Sequence, residues 1–249
     1  MHPLFSIVTV TSNASQTLPA TLKSVKEQTC RLFEYLIIDG ASTDNTVQLA
    51  QASGIENIEI HSEPDRGLYD AMNKWLGFAK GDYVIFLNAG DSFHSPDTLQ
   101  HIADAIFLND YPGIVYGQTD IVDRDRKRLR PRHFKAPEVL TLESFSEGMV
   151  VCHQAFVVLR KLTSIYDTRI RFSADYEWCI RCLQRSHRNC YVDEVLIDYL
   201  SEGITTRNRW KSLFERFSIM SKYYGIFPTL WLHGKKVCNA VVKIFVKAW

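Results

Sequence analysis

The sequence predicts an α/β protein in which a mostly parallel sheet carries helices on both faces. Two runs, Phe5–Thr11 and Tyr35–Ile38, are continuously apolar and rich in β-branched residues, which is typical of strands buried on both sides. Segments with helical apolar spacing separate such runs as far as Leu87. This regular alternation indicates βαβ units, and therefore parallel pairing of the strands.

Strand and helix patterns can be placed along most of the chain. In the first half, strands are predicted at 5–11, 35–38, 58–61 and 83–87, and helices at 18–25, 45–53, 68–79 and 96–109. In the second half, strands are predicted at 113–116, 154–159 and 191–200, and helices at 174–184, 210–224 and 229–247. The chain therefore begins as repeated βα units and ends in helices alone.

The segment Asp123–Glu138 is the most charged and least periodic part of the chain. One interpretation is a solvated hairpin or loop, since runs of charge usually face water. The other is a basic lid over an anionic ligand, because long loops beside binding sites often close over them. The sequence leaves both interpretations open.

Composition limits the class of protein. The formal net charge of +1 gives no reason to expect nucleic-acid binding, and nowhere do 18 consecutive residues stay apolar, so we expect no spanning helix. The first residues lack a basic region before their apolar run, which favours a strand over a signal peptide. We therefore expect a cytoplasmic protein whose six scattered cysteines are reduced and mostly buried.

The predicted helix at 229–247 has an apolar stripe, with lysines beside it. A helix that packs on its own domain would show the same stripe. A basic amphipathic helix flanked by aromatic residues is also typical of binding to a membrane rich in anionic lipid. Both interpretations remain open. The lysines concerned are Lys235, Lys236, Lys243 and Lys247.

Acidic residues follow three predicted strands, with Asp39 and Asp44 after one, Asp65 after the next and Asp91 after the last. Ligands of open α/β sheets bind at this edge. Carboxylates repel a bare diphosphate, but they can hold a divalent cation that binds phosphate oxygens, or accept hydrogen bonds from a ribose. The patterns GxGxxG, GxxxxGK[ST] and HExxH are absent, which argues against a dinucleotide site, a phosphate-loop ATPase and a zincin.

Three segments, SIVTVTSN, FEYLIIDGASTDNT and SEPDRGLYDAMNKWLGFAKGDYVIFLNAGD, resemble the nucleotide-binding half of family 2 glycosyltransferases of the GT-A fold. The form with DRGLYDAMNK and FLNAGD is similar to bacterial colanic-acid and capsule enzymes. The resemblance is dense over residues 4–110. It implies a GT-A domain at 1–205, with a nucleotide-sugar half at 1–110 and an acceptor half at 111–205, followed by amphipathic helices at 206–249.

The resemblance implies a role for particular residues on the donor side. Thr9, Thr11 and Asp39 match the pocket for the nucleotide base and ribose. Asp65 and Arg66 lie where the family approaches the nucleotide and sugar. Asp91 matches the last acid of the family's metal motif and is the expected ligand of Mn²⁺ or Mg²⁺. Asn88 and Gly90 stand where the motif usually has acids.

On the acceptor side, Asp175 matches the family's catalytic base. The family inverts the anomeric carbon by direct displacement, so one base must take the proton of the attacking hydroxyl. From residue type and position alone, Asp175 would also suit a helix N-cap. His153 and Gln154 are candidates for contact with the acceptor or the diphosphate, although a single histidine is often structural.

The implied function is transfer of a sugar from a nucleotide-diphospho-sugar to a glycan or lipid-linked glycan in bacterial exopolysaccharide or capsule synthesis. The expected location is the inner face of the cell membrane, on an anionic surface. One alternative is a sugar nucleotidyltransferase, although SNASQT after the first strand lacks the glycine-rich basic signature of that class. The other is a degenerate, membrane-attached subunit that binds nucleotide without turnover, which Gly90 in an acid's place would favour.

Overall fold

Nine strands form a single sheet in the computed structural model, which describes residues 2–201 and 209–234. The strands are β1 (Phe5–Thr11), β2 (Phe33–Asp39), β3 (Ile58–Ser62), β4 (Tyr83–Phe86), β5 (Ser92–Phe93), β6 (Ile114–Val122), β7 (Arg128–Pro131), β8 (Phe156–Leu159) and β9 (Asn189–Leu200). Their order across the sheet is β3-β2-β1-β4-β8-β6-β9-β5, and β7 pairs with β6.

Helices connect these strands and close the chain. They are α1 (Leu18–Lys26), α2 (Thr46–Gln51), α3 (Leu68–Lys74), α4 (Thr98–Leu108), α5 (Ala174–Arg185), α6 (Arg209–Tyr224) and α7, which covers 226–234. Short 3-10 helices lie at Trp75–Gly77, Glu143–Glu147, His153–Ala155 and Arg160–Leu162. None of the helices within the described residues is long and apolar enough to cross a bilayer.

Parallel pairing is concentrated in the first half of the sheet. β1 lies between β2 and β4 and is parallel to both, and β3 extends the parallel set beyond β2. From β4 onward the sheet is mixed. β8 is antiparallel to β4 and β6, whereas β9 is parallel to β6 and antiparallel to β5. The predicted βαβ units are thus confirmed up to β4, and the later strands add the antiparallel pairs.

Alternate residues of the central strands enter two different cores. Ile7 of β1 belongs to the core beneath α1 and α4, and Val8 belongs to the core beneath α3, α5 and α6. Because successive side chains of a strand point to opposite faces, a strand covered on both faces must be apolar throughout. The continuous apolar runs therefore predicted correctly that helices cover both sides of the sheet.

Several elements differ from their predicted bounds. The helix predicted at 68–79 is α-helical only to Lys74 and continues as a 3-10 turn to Gly77. β6 extends to Val122 instead of ending at Tyr116. The strand β5 is too short, at 2 residues, to show a periodic signal, and the 4 residues of β7 show none because all of them are exposed. Asp123–Glu138 contains β7 and the turn that joins it to β6 in a hairpin, in agreement with the first of its two interpretations.

The C-terminal predictions are covered only in part. The helix predicted at 210–224 is confirmed as α6. The four lysines of the predicted helix at 229–247 lie outside the described residues, as does the predicted domain boundary between residues 205 and 206. The proposed division into domains stays a prediction.

Candidate functional site

The candidate site lies at the carboxyl edge of the parallel strands. Thr11 of β1 is in register with Asp39 of β2, which is in register with Ser62 of β3. Leu87, directly after β4, donates its backbone N–H to Val8 O, so β4 ends at the same edge of the sheet. This register brings the predicted acids of three separate segments together, because parallel strands present their carboxyl ends on one side.

Asp39 is buried, and donors of the protein itself surround its carboxylate. Oδ1 accepts hydrogen bonds from Thr11 Oγ1 (2.8 Å) and Ser42 Oγ (2.5 Å). Oδ2 accepts from Ser42 N (2.9 Å) and Ser62 Oγ (2.7 Å). Burial alone would raise the pKa of Asp39, but the hydrogen bonds from Ser42, Ser62 and Thr11 outweigh it and lower the pKa below 3.8. Asp39 is therefore an ionised anchor for the loop after β2.

Thr9 lies deeper in the sheet than its predicted role requires. Its side chain is fully buried, and its hydroxyl donates to Leu87 O at 2.6 Å and lies 3.0 Å from Tyr35 Oη. These bonds fix the end of β4 against β1. A direct contact between Thr9 and a nucleotide stays a prediction. The hydrogen bonds of the Thr9 hydroxyl to Leu87 and Tyr35 are not evidence for that contact.

Asp65 lies against the chain directly after Asp39. A Cβ added to Gly40 would collide with Asp65 Oδ2, so this close approach requires glycine. Asp65 Oδ1 accepts a hydrogen bond from Gly67 N at 2.8 Å. Arg66 is different, because its side chain is 88% exposed and its guanidinium pairs with Asp70 at 2.9 Å. The structure thus joins Asp65 to the site and leaves Arg66 at its rim.

Asp91 is the most deeply desolvated of the predicted acids. Its Oδ2 accepts a hydrogen bond from Gln154 Nε2 at 2.8 Å, and its Oδ1 accepts one from Leu200 N at 2.9 Å. Burial raises the pKa of Asp91 from 3.8 to about 7, although the two hydrogen bonds and the charge of Arg126 act in the opposite direction. A raised carboxyl pKa in a cleft is typical of functional sites.

The turn before Asp91 supplies a second oxygen. Asp91 N donates to Asn88 O at 2.9 Å, which closes the turn, and Asn88 Oδ1 is buried without a hydrogen-bond partner among the described residues. Carboxylate and amide oxygens are hard donors, and Mg²⁺ is often held by one or two protein groups together with substrate phosphates. Within the described parts of the chain, no group of three or more His, Cys, Asp or Glu could hold a metal. Asn88 and Asp91 fit a cation that the substrate also binds.

The backbone conformation at Gly90 explains why glycine stands where the family's metal motif usually has an acid. Its φ of +106° lies in the region that favours glycine, and a Cβ would stand 2.8 Å from a methyl carbon of Leu200. Arg126, in the turn of the β6–β7 hairpin, donates to Gly90 O at 2.7 Å. The hairpin therefore braces the turn that carries Asp91. The charge pattern of the sequence gave no sign of this contact.

Asp175 occupies the first turn of α5 and is half-buried. The N-cap position belongs to Ser173, so the interpretation of Asp175 as N-cap is wrong. Asp175 Oδ1 accepts hydrogen bonds from Tyr69 Oη (3.2 Å) and Tyr176 N (2.8 Å). Its Oδ2 accepts no hydrogen bond from the described residues, and is the oxygen available to a proton. A carboxylate at this end of a helix is also favoured by the helix dipole.

Asp91 and Asp175 both act on one tyrosine. Burial is the main reason that the pKa of Tyr199 is raised, and the negative charges of Asp91 and then Asp175 add to it. Tyr199 follows Asp198 on β9 and precedes Leu200, whose N–H binds Asp91. The two acids therefore both lie near one tyrosine, although they are 84 positions apart in the sequence.

An aromatic cluster within the core contacts the elements that carry these acids. His153 stacks on Phe86, with ring centroids 4.9 Å apart, and its Nε2 lies 2.9 Å from Tyr166 Oη. Burial lowers the pKa of His153 from 6.5 to about 4, so the ring is neutral near pH 7. Tyr166 also stacks on Tyr69 at 5.6 Å. The sequence did not predict Tyr69 or Tyr166 as site residues, although Tyr69 is part of the DRGLYDAMNK motif.

Comparison with known proteins identifies the family. The model of "Glycosyl transferase family 2" matches residues 6–164, which include β1 to β8. The chain belongs to glycosyl transferase family 2. It is therefore a glycosyltransferase, as the three sequence motifs predicted, and its α/β architecture with C-terminal helices is confirmed as the GT-A fold.

Two curated relatives are clearly similar in sequence to this chain. A PGL/p-HBAD biosynthesis glycosyltransferase of Mycobacterium bovis is 36% identical over 186 residues, covering 72% of this chain and 70% of the relative. An uncharacterised glycosyltransferase of Mycobacterium tuberculosis is 34% identical over 252 residues, covering 97% and 90%. The narrower resemblance to colanic-acid and capsule enzymes is not shown by these relatives.

Solved structures share the fold at low sequence identity. TarS (residues 1–349) of S. aureus superposes with a TM-score of 0.71 at 17% identity, over 92% of this chain and 71% of that one. Glucosyl-3-phosphoglycerate synthase of Mycobacterium tuberculosis, solved with Mn²⁺, UDP and glucosyl-3-phosphoglycerate, gives 0.63 at 16%, over 88% and 80%. The mannosyltransferase PcManGT of Pyrobaculum calidifontis, solved with GDP-Man and Mn²⁺, gives 0.65 at 15%, over 100% and 80%.

Proposed function

We propose that this glycosyltransferase moves a sugar, with inversion, from a nucleotide-diphospho-sugar to a lipid-linked glycan at the inner face of the cell membrane. The observation that carries the proposal is the chain of contacts between Asp91 and Asp175. Gln154 donates to Asp91, and its neighbour His153 lies 2.9 Å from Tyr166 Oη. Tyr166 stacks on Tyr69, which donates to Asp175. Among the described residues, none donates to Oδ2 of Asp175. Displacement at the anomeric carbon needs a base for the acceptor and charge stabilisation for the leaving group. Exopolysaccharide or capsule synthesis is the proposed context, and it rests on sequence resemblance alone.

The nucleoside would lie on the loop after β2. Ser42 and Ser62 donate their hydroxyl hydrogens to Asp39, so their oxygens can act as acceptors for the ribose hydroxyls. Ser42 Oγ already accepts from Asn13 N at 2.8 Å and keeps one further acceptor position. Asp39 would then act by orienting these serines, or by exchanging one of them for a ligand hydroxyl. TarS in complex with UDP and with UDP-GlcNAc, and PcManGT with GDP-Man, support a donor of this class.

Asp91 and Asn88 would hold the divalent cation. The Mn²⁺ bound by two of the structural neighbours supports this choice of ion. When bound, the cation neutralises the charge that develops on the leaving nucleoside diphosphate. The protein's own part is to aim Asp91, which it does through Gln154 and the backbone N–H of Leu200.

Asp175 would take the proton of the attacking hydroxyl. Tyr69 and the N–H of Tyr176 hold Oδ1, so that Oδ2 faces the acceptor in one orientation. The neutral ring of His153 and the ring of Tyr166 would exclude water beneath the sugar, because both side chains are buried in the aromatic cluster. Exclusion of water limits hydrolysis of the donor.

The test is release of nucleoside diphosphate from a panel of nucleotide sugars, with and without Mn²⁺, followed by mass analysis of the product. Cation-dependent release together with a glycosylated acceptor is the expected result. Formation of pyrophosphate and a nucleotide sugar from a nucleoside triphosphate would instead indicate a nucleotidyltransferase.

A thermal-shift series with nucleoside diphosphates separates binding from turnover. A ligand present at about 100 times its dissociation constant should stabilise the fold by roughly 2.7 kcal/mol. Binding without any release or transfer would favour the degenerate subunit. The Asp175→Asn variant should bind as tightly as the natural chain, because the substitution leaves the donor pocket unchanged.

A further inference from the structure

The two C-terminal helices expose a group of large apolar side chains. On α6, Trp210 is 85% exposed and Phe214 is 73% exposed, and on α7, Phe227 is 81% exposed. We call this surface the apolar ridge; its members are Trp210, Leu213, Phe214, Ile226, Phe227, Leu230 and Trp231. Seven large apolar residues are exposed within the 26 consecutive positions 209–234. Single exposed apolar residues are normal on a soluble protein, but a group of this size is not.

The opposite face of α6 is firmly attached to the domain. Ile219 and Met220 are buried in the core that α5 also enters. Tyr223 donates to the buried carboxylate of Glu177 at 2.5 Å, and Glu215 accepts from the backbone N–H groups of Arg171 and Phe172. A helix that is anchored on one side has a defined outer side, so the exposure of the ridge is a property of the fold.

The turn between the two helices keeps the ridge together. Thr229 is fully buried and donates from N and Oγ1 to Gly225 O, while Phe217 meets the ring of His233 edge-on at 5.3 Å. Gly225 has a φ of +89°, which the sharp change of direction requires. The exposed apolar groups on both helices are therefore held by one folded unit.

Charge along the chain is strongly segregated. From Arg209 to Trp249 the sequence has eight Lys or Arg residues and one acid, Glu215, which faces inward. The first 208 residues have 21 Lys or Arg against 27 Asp or Glu. The formal charge of +1 therefore combines an acidic domain with a basic C-terminal segment. A basic segment with exposed aromatic residues complements an anionic lipid surface.

We propose that the apolar ridge enters the interface of an anionic membrane and presents the Asp175 site to a lipid-linked acceptor. A second copy of the chain is a poorer occupant, because two ridges placed face to face would bring two basic segments together. Docking itself follows from the ridge and its charge. The identity of the acceptor rests on the proposed function.

The connection from the ridge to the site is short. Ser212 lies between Leu213 and Lys211 on α6, and its Oγ is 3.1 Å from Oγ of Ser173, the N-cap of α5. Asp175 lies two residues further on. Docking through α6 would therefore hold the base at a set height above the lipid surface, which suits an acceptor hydroxyl close to its lipid anchor.

The first test measures co-sedimentation of the full chain with vesicles of phosphatidylglycerol and phosphatidylcholine, and with phosphatidylcholine alone. We expect binding to the anionic vesicles at low salt and release at high salt. Phe214→Ser and Phe227→Ser should each weaken binding about tenfold, since each removes one aromatic side chain from the interface. Leu108→Ser on α4 is the matched control, because Leu108 is 84% exposed outside the ridge and should leave binding unchanged.

Equal loss in the control and ridge variants, or no binding of the natural chain to anionic vesicles, would overturn the proposal. So would a stable dimer in sedimentation equilibrium that Phe214→Ser and Phe227→Ser dissociate, since the ridge would then be a subunit interface. Thermal unfolding of each variant shows whether lost binding is lost folding. Serine in place of an exposed residue should leave the melting temperature nearly unchanged.

Cation-dependent release of nucleoside diphosphate in solution separates this proposal from the proposed function. The ridge variants should keep that release and lose transfer only when the acceptor is embedded in vesicles. If no chain releases nucleoside diphosphate and vesicle binding still depends on the ridge, docking stands and the enzymatic proposal fails. If release occurs and the ridge variants transfer normally to the embedded acceptor, the delivery role fails.

Discussion

The acids at the ends of β2 and β4 lie at the same edge of the sheet but differ in their hydrogen bonding and in their pKa. Asp39 and Asp91 are almost equally buried, at 1% and 4% exposed. Asp39 receives four hydrogen bonds from the protein, and its pKa is lowered, whereas Asp91 receives two, and its pKa is raised to about 7. At Asp91 the loss of solvent outweighs two donors, whereas at Asp39 four donors outweigh burial, and this balance decides which acid is left in need of a cation.

The same comparison separates structure from chemistry at this edge. Asp39 already has a donor for each of its acceptor positions, so its charge is stabilised by the fold. As far as the described residues show, Asp91 has spare acceptor positions and the neighbouring Asn88 Oδ1 has no partner, and the charge of Asp91 is desolvated. A bound cation would meet all three needs. We therefore expect the two acids to respond in opposite ways to substitution, to pH and to added metal.

The largest effect is expected at Asp91. Asp91→Asn should abolish cation-dependent turnover, because the amide carries no charge for the cation. The fold should survive, since the amide oxygen can still accept from Leu200 N and the amide of Gln154 can turn. Turnover measured at limiting Mn²⁺ checks this. A variant that keeps natural activity there would remove Asp91 from the mechanism.

Asp175 adds a third acid to the comparison; it is half-buried, and within the part of the chain that the structure describes its Oδ2 accepts no hydrogen bond. Asp175→Asn should lower transfer by roughly 10²–10⁴-fold with little loss of donor binding, since the amide cannot accept the proton. Tyr69→Phe is the control, because it removes only the hydroxyl that holds Oδ1, and it should have a smaller effect. If lost thermal stability accounted for all the lost activity of Asp175→Asn, the base assignment would fail.

Stability should depend on pH through Asp91. Because its folded pKa of about 7 lies above the ordinary 3.8, its contribution is fully present below about pH 4 and is lost as pH rises towards 7. Between about pH 4 and pH 7 the cation-free natural protein should therefore lose stability relative to Asp91→Asn. Above pH 7, Mn²⁺ should restore this stability in the natural chain and not in the variant. Thermal melts of both proteins across this range measure the difference.

The two proteins must be compared because His153 also changes stability with pH. Its contribution rises with pH in part of the range over which the contribution of Asp91 falls. Its folded pKa of about 4 lies below the ordinary 6.5, so its contribution is present above 6.5 and is lost as pH falls towards 4. Both proteins contain His153, and its contribution cancels in the comparison. Identical melting curves for the natural chain and Asp91→Asn would show that Asp91 is not desolvated.

The smallest effect is expected at Asp39. Asp39→Ala should weaken nucleoside diphosphate affinity by about 1.5–3 kcal/mol if the charged carboxylate binds the nucleotide. It should also lower stability, by about 1–3 kcal/mol for each buried donor left unsatisfied, of which Thr11 is the most buried. Ser62→Ala is the matched control, since it removes one donor and keeps the carboxylate. Calorimetry that finds unchanged affinity in a folded Asp39→Ala would place the nucleotide elsewhere.

The sequence alone was enough to predict the parallel half of the sheet and the edge where the acids gather. Buried parallel strands are continuously apolar, and the residue that follows each one must lie at the carboxyl edge, so both inferences need only local sequence. The motifs DGASTDNT and FLNAGD then pointed to the family, which its sequence relatives confirm. The proposed roles of the individual site residues stay predictions.

Only the tertiary structure decided the state of each acid. Gln154 and Leu200, which hold Asp91, lie 63 and 109 positions away from it in sequence, and Arg126 reaches the same turn from a hairpin without periodicity. The strands β5 and β7 were equally hidden, because β5 is too short to show a pattern and every residue of β7 is exposed. Residue type and spacing specify which face a side chain occupies. The pKa of a carboxylate depends on solvent and on donors that come from distant segments, and only the folded chain brings these together.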